Sequence, residues 1–178
     1  MAVALTAAVT DLRTGLVPNR LTYPAIFFGL VYWPLVGLVL ADPQAALHLG
    51  RDAWIAMFCG LIPYALLVLT AGLGGGDMKL MAAIGALSAS WQVVLSTTVY
   101  ALLVAFVMAL VVMVRRKVVK QTLARLFSAA LLAPSRVRAD PPRDSPKVAF
   151  AAAVAVGVAV AGAEQLLGWQ SPWRGFSP

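Results

Sequence analysis

Apolar residues in this chain come in long unbroken runs, and short polar breaks set the runs apart. A bilayer core about 30 Å thick takes roughly 20 apolar helical residues, so each long run reads as a candidate membrane span. Met1–Thr10 is apolar but short and reads as the last half of a first, truncated span. It lacks a basic start and runs directly into Asp11-Leu-Arg13, which does not fit a cleaved signal peptide. Asp11 to Leu21 reads as a polar turn, punctuated by Gly15, Pro18 and Asn19. Thr22–Leu40 is the second span, Ala41–Asp52 a polar loop, and Ala53–Ala71 the third span. A glycine-rich break follows, Gly72-Leu-Gly-Gly-Gly-Asp-Met-Lys79. Leu80–Ser90 is a short fourth span, Trp91-Gln92 an interface, and Val93–Val114 a fifth span. The last, Val148–Leu167, is rich in the small residues that let membrane helices pack closely.

Composition turns these runs into a fold class. Of 178 residues, 61% are hydrophobic and 12% charged, against about 25% charged in soluble domains. The expectation is an all-α, polytopic membrane helix bundle of about six transmembrane helices, forming one domain over 1–178. Cys59 is the only cysteine, which excludes an intrachain disulfide or a paired-cysteine zinc site, and it reads as a packing residue.

Charge then sets the sides. The net charge is +7, but no nucleic-acid-binding motif accompanies it. Nine basic residues lie between Arg115 and Lys147, in a stretch that also carries Pro134, Pro141, Pro142 and Pro146. Within it, Val118–Leu132 reads as an amphipathic surface helix and Ala133–Pro146 as a loop. With this stretch, the Asp11 turn and the glycine break on one side of the membrane, twelve of the fourteen basic residues share that side, leaving Arg51 and Arg174 opposite. Such a bias marks the cytoplasmic face, and Trp54, Trp91, Trp169 and Trp173 then form an aromatic belt on the other. The basic loop, about 115–147, reads as a determinant of topology and of contact with anionic lipids.

The carboxylates are the candidate chemistry. Asp42, Asp52 and Glu164 fall near outer helix ends, and Asp140 and Asp144 among the basic residues of the loop; all five read as ordinary solvated or ion-paired charge. His48 reads as a surface residue. Asp11 and Asp77 differ, because both sit at cytoplasmic helix ends at similar depth. Two carboxylates at one site share a proton. One then serves as general base towards water while the other protonates a peptide carbonyl, which hydrolyses the bond without metal or cofactor. The residues alone leave open whether the two meet or serve as separate helix-end carboxylates.

Two motifs carry a resemblance. Asp11-Leu-Arg-Thr-Gly-Leu-Val-Pro-Asn-Arg-Leu-Thr22 resembles a segment in which an Asp precedes an Ile/Val-Pro-Asn-x-Leu-Thr turn, and Gly74-Gly75-Gly76-Asp77-Met78-Lys79 resembles a GxGDxK motif. The second is short and weakly specific by itself. Together, in this order and 66 positions apart from Asp to Asp, they resemble the type IV prepilin leader peptidases, membrane aspartic proteases. The resemblance implies Asp11 and Asp77 as the catalytic pair, with Gly74, Gly76, Lys79, Pro18 and Asn19 shaping the site. It implies prepilin or pseudopilin substrates, cut after the Gly that precedes a hydrophobic helix, and a multi-pass protein of the bacterial inner membrane whose site faces the cytoplasm. Larger members add a cytoplasmic domain with paired cysteine motifs and methylate the new N-terminus. This chain has one cysteine and no such domain, so it is similar to the short, Tad-type branch, and methyltransferase activity is not carried over. Lys147 also stands where the family often has a small or aromatic residue after the proline.

Two readings from other classes compete. A small transporter or channel would place acidic residues near the midplane or show an inverted repeat, and neither is visible. A non-catalytic pilus assembly factor would use the basic loop for partners and would not need Asp at both positions.

Overall fold

The computed structural model of the chain describes residues 1–71, 74–115 and 150–169. Six helices are found there and no strand: α1 (Ala2–Thr14), α2 (Asn19–Leu40), α3 (Pro43–Ala71), α4 (Gly75–Ser88), α5 (Trp91–Arg115) and α6 (Phe150–Leu166). The expected all-α bundle is what forms. α2, α3 and α5 are long and apolar enough to cross a membrane, and α6 is a shorter apolar helix. Large apolar side chains such as Phe27, Phe28, Val39 and Leu40 stand exposed on α2; in a membrane protein such a surface meets lipid rather than water. Most of the basic loop, including the expected surface helix Val118–Leu132, and Trp173 lie outside the described residues. The chain divides into two compact units, Met1–Val104 with Ala149–Pro178, and Ala105–Val148; Asp11 and Asp77 both lie in the first.

The helix limits differ from the sequence reading in ways the local chemistry explains. α1 runs on to Thr14, so Asp11 sits in its last turn and not in a loop. Thr10 and Thr14 donate their hydroxyls back to Thr6 O at 3.0 Å and Thr10 O at 2.8 Å, which satisfies them inside a helix. Gly15 then stops it at φ 67°, in the left-handed region that favours glycine, with its N–H on Asp11 O at 2.8 Å. α3 begins at Pro43, ten residues before the expected Ala53. Asp42 Oδ1 accepts from Ala45 N at 2.7 Å, the bond of an Asp N-cap ahead of a first-position proline. α4 begins at Gly75, which turns the second half of the glycine break into a helix start, and α5 begins at Trp91, where an interfacial turn was expected.

α4 has only 14 residues and is the centre of its unit. Every residue from Leu80 to Ala86 is buried. Its short length follows from this position: it is wrapped by protein and need not match the bilayer by itself. Glycines make the wrapping tight. A Cβ on Gly29 of α2 would stand 2.5 Å from Ala86 C, one on Gly60 of α3 2.4 Å from Met81 O, and one on Gly85 of α4 2.2 Å from Ala56 O. These backbones touch directly, as small-residue contacts in membranes do. At the far end Trp33 Nε1 donates to Leu87 O at 3.1 Å, pinning α2 to the end of α4. A second grouping pairs α1 with α6 through Ala4, Ala8 and Ala155.

Candidate active site

The polar end of the first unit gathers the last turn of α1 and the first turns of α2, α4 and α6. Asp11 points at the start of α6, where Ala151 N donates to its Oδ2 at 3.1 Å. An anion in the last turn of a helix is opposed by that helix's own dipole, and the N-terminus of α6 supplies the opposite field. The 140-residue link between Asp11 and Ala151 has no signature in the sequence beyond the start of an apolar run.

Asp77 lies in the first turn of α4, ahead of the buried run, and is half-buried. Its N–H meets Gly74 O at 3.2 Å. Burial pushes its carboxyl up to about 6, and the charge of Asp11 adds to the rise. The two carboxylates therefore act on each other. For Asp77 the cost of desolvation outweighs the favourable field of its own helix N-terminus.

The motifs around the two acids interlock. Pro18 is extended (φ −72°, ψ 137°) and caps α2, its carbonyl accepting from Leu21 N at 3.0 Å and Thr22 N at 3.4 Å. Asn19 opens α2, and its Oδ1 accepts from Lys79 Nζ at 2.9 Å. The same ammonium stands 5.1 Å from the centre of the Tyr23 ring, a cation–π distance. Lys79 thus ties α4 to α2. Gly76 lies against Val17: a Cβ there would come within 3.3 Å of Val17 Cβ. Gly74 caps α4 at φ −66°, ψ 129°, and a Cβ on it would approach only Asp77 Oδ2, at 3.9 Å. Unusual backbone angles are not what these two glycines provide. Gly76 gives room between the motifs, and Gly74 leaves the Asp77 carboxyl uncovered.

Tyr64 was missed by the sequence reading. It is 2% exposed, its ring centre is 5.8 Å from that of Phe150, and the charge of Asp77 acts on its hydroxyl. A tyrosine inside an apolar span carries no signal of this kind. The other acids behave as ordinary charge. Asp42 caps α3, Asp52 pairs with Arg51 at 3.5 Å, and Glu164 accepts from the Tyr100 hydroxyl; Asp140 and Asp144 lie outside the described residues.

These features define an all-helical protein among the described residues, with three helices long and apolar enough to cross a membrane, in which the charge of Asp11 acts on the half-buried Asp77. The family model for the type IV leader peptidase family matches residues 1–114, and the chain belongs to that family. Over 88 residues, 49% of its length, it is 38% identical to the prepilin leader peptidase/N-methyltransferase of Escherichia coli K12, 38% of which is covered. Over 84 residues, 47% of its length, it is 34% identical to leader peptidase HopD of Salmonella typhimurium LT2, 52% of which is covered. The matches thus span about half or less of these relatives' lengths. No solved structure matches the chain.

Proposed function

We propose that this chain is a membrane-embedded aspartic endopeptidase that removes the short basic leader of type IV prepilins or pseudopilins at the cytoplasmic face. The observation that carries the reading is the electrical coupling of Asp77 to Asp11, from motifs 66 positions apart, at one half-buried site. The two acids differ in surroundings, and this gives them different roles. Asp77, lifted by burial, holds the pair's proton and donates it to the scissile carbonyl oxygen. Asp11, facing the N–H of Ala151, takes a proton from the water that attacks the carbonyl carbon. The tetrahedral intermediate then collapses as a proton passes to the leaving amide nitrogen. No cofactor enters these steps. A site at the polar ends of membrane helices suits a substrate whose scissile bond lies just ahead of a hydrophobic helix.

The test is incubation of the purified protein, in detergent or lipid, with a prepilin, reading the mobility shift and the new N-terminus. Asp11→Asn and Asp77→Asn should each lower cleavage roughly a hundredfold or more while the helical circular-dichroism spectrum stays intact. Cleavage at wild-type rate by either variant would remove the paired-acid mechanism.

A further inference from the structure

Two buried side-chain hydroxyls have no hydrogen-bond partner among the described residues, Tyr64 Oη and Thr97 Oγ1. A buried hydroxyl left unpaired carries its full desolvation penalty, so each needs a reason. Thr97 lies at the α5–α6 crossing, where its carbonyl would be 2.6 Å from a Cβ on Gly157. Tyr64 is another matter. The close contacts of α3 with α4 set an antiparallel register: residue 56 faces 85 and residue 60 faces 81. One helical turn further, residue 64 faces 77. The register therefore brings Tyr64 to the level of Asp77, and the carboxylate's charge acts on the phenol. On its other side the ring packs against Phe150, the neighbour of the Ala151 that donates to Asp11. Thr98 is the polar side chain by which α5 approaches the phenol; its own hydroxyl proton goes to Val94 O at 2.8 Å, and Tyr64 Oη has no hydrogen-bond partner among the described residues.

We infer that Tyr64 is a positioning residue of the site, whose hydroxyl donates a hydrogen bond to the Asp77 carboxyl in the substrate-engaged state and fixes the direction in which Asp77 presents its proton. This rests on the paired-acid reading above. A phenol suits this role because it is a donor on a rigid ring, and the ring is held by the core cluster that also contains Leu80, Ile84 and Val94. Among the described residues, the ionisable groups that act electrostatically with Asp77 are Asp11 from α1 and Tyr64 from α3. Lys79, on its own helix, is turned to Asn19 and Tyr23.

The test is Tyr64→Phe in the full chain, assayed on a prepilin beside wild type and Asp77→Asn. Phenylalanine keeps the ring and its packing and removes only the hydroxyl. The expected result is a fall in kcat of about tenfold, with KM within about twofold and an unchanged or raised unfolding temperature. The alkaline limb of the pH–rate profile should also move to higher pH, because a donor to the charged carboxylate has been lost. Wild-type kcat and an unmoved limb in Tyr64→Phe, with Asp77→Asn inactive, would overturn the inference and leave the protease reading standing. Activity in Asp77→Asn would instead strike at the paired-acid mechanism itself.

Discussion

At the scale of single residues, the half-buried Asp77 exchanges stability for a proton that it keeps. Its folded value of about 6 lies above the ordinary 3.8. Between these values the folded chain binds more protons than the unfolded chain, so stability falls as pH rises through that window and the loss is complete above it. Asp77→Asn should remove this slope. In thermal unfolding in detergent, the variant should match wild type near pH 3 and exceed it above about pH 7; equal midpoints across the range would show that Asp77 does not titrate late. Cleavage should fall in the same sense, as pH rises above about 6 and Asp77 loses its proton. The Lys79–Asn19 bond offers another check. Lys79→Met should reduce kcat/KM by several fold, and adding Asn19→Ala should cost little more, since the bond is already gone. Additive losses would show that the two side chains act separately. The two acids and the motif residues were legible in the sequence because glycine, proline and charge stand out in apolar surroundings. Tyr64 and Ala151 were not, because a phenol in an apolar run and a backbone N–H have no compositional signature.

At the scale of elements, the site depends on how closely three helices approach. Gly60 of α3 and Gly85 of α4 lie where a Cβ would fall within 2.4 Å and 2.2 Å of facing backbone oxygens. Gly60→Ala must part α3 from α4 and should destabilise by about 1–3 kcal/mol in spite of alanine's better helix propensity. Gly162 of α6 has nothing within 4 Å of such a Cβ, so Gly162→Ala should be neutral or stabilise by up to about 1 kcal/mol. Unfolding in detergent compares the two, and a neutral Gly60→Ala would mean that the contact yields at no cost. The sequence located most of the helices but missed their ends. The Asp42-Pro43 pair is an N-cap signal, and it was hidden by the polar residues that follow, Gln44, His48, Arg51 and Asp52. α1 likewise runs past its expected end to Thr14, where the hydroxyls of Thr10 and Thr14 are satisfied by the helix's own carbonyls.

At the scale of the molecule, hydrophobic run length was enough for an all-α membrane protein, yet it could not tell a lipid-facing helix from one buried in protein. Both read as continuously apolar, and α4 differs from its neighbours only in being short and enclosed. The orientation argued from basic residues is open to a direct check. With Cys59 replaced, single cysteines at Leu16 and at Ala41 should react with an impermeant maleimide from opposite sides of the membrane, Leu16 from the cytoplasm. Labelling of both from one side would reverse the proposed facing of the site.

Asp77 belongs to the tightly notched group of α2, α3 and α4, whereas Asp11 belongs to the pair α1 and α6, and one core cluster with Ala7, Tyr64, Leu80 and Ala151 runs through both. The separation of the two acids is therefore set by shared side-chain packing and not by a single loop. A core substitution that shifts one group against the other should change how strongly Asp11 acts on Asp77 while leaving both carboxylates in place.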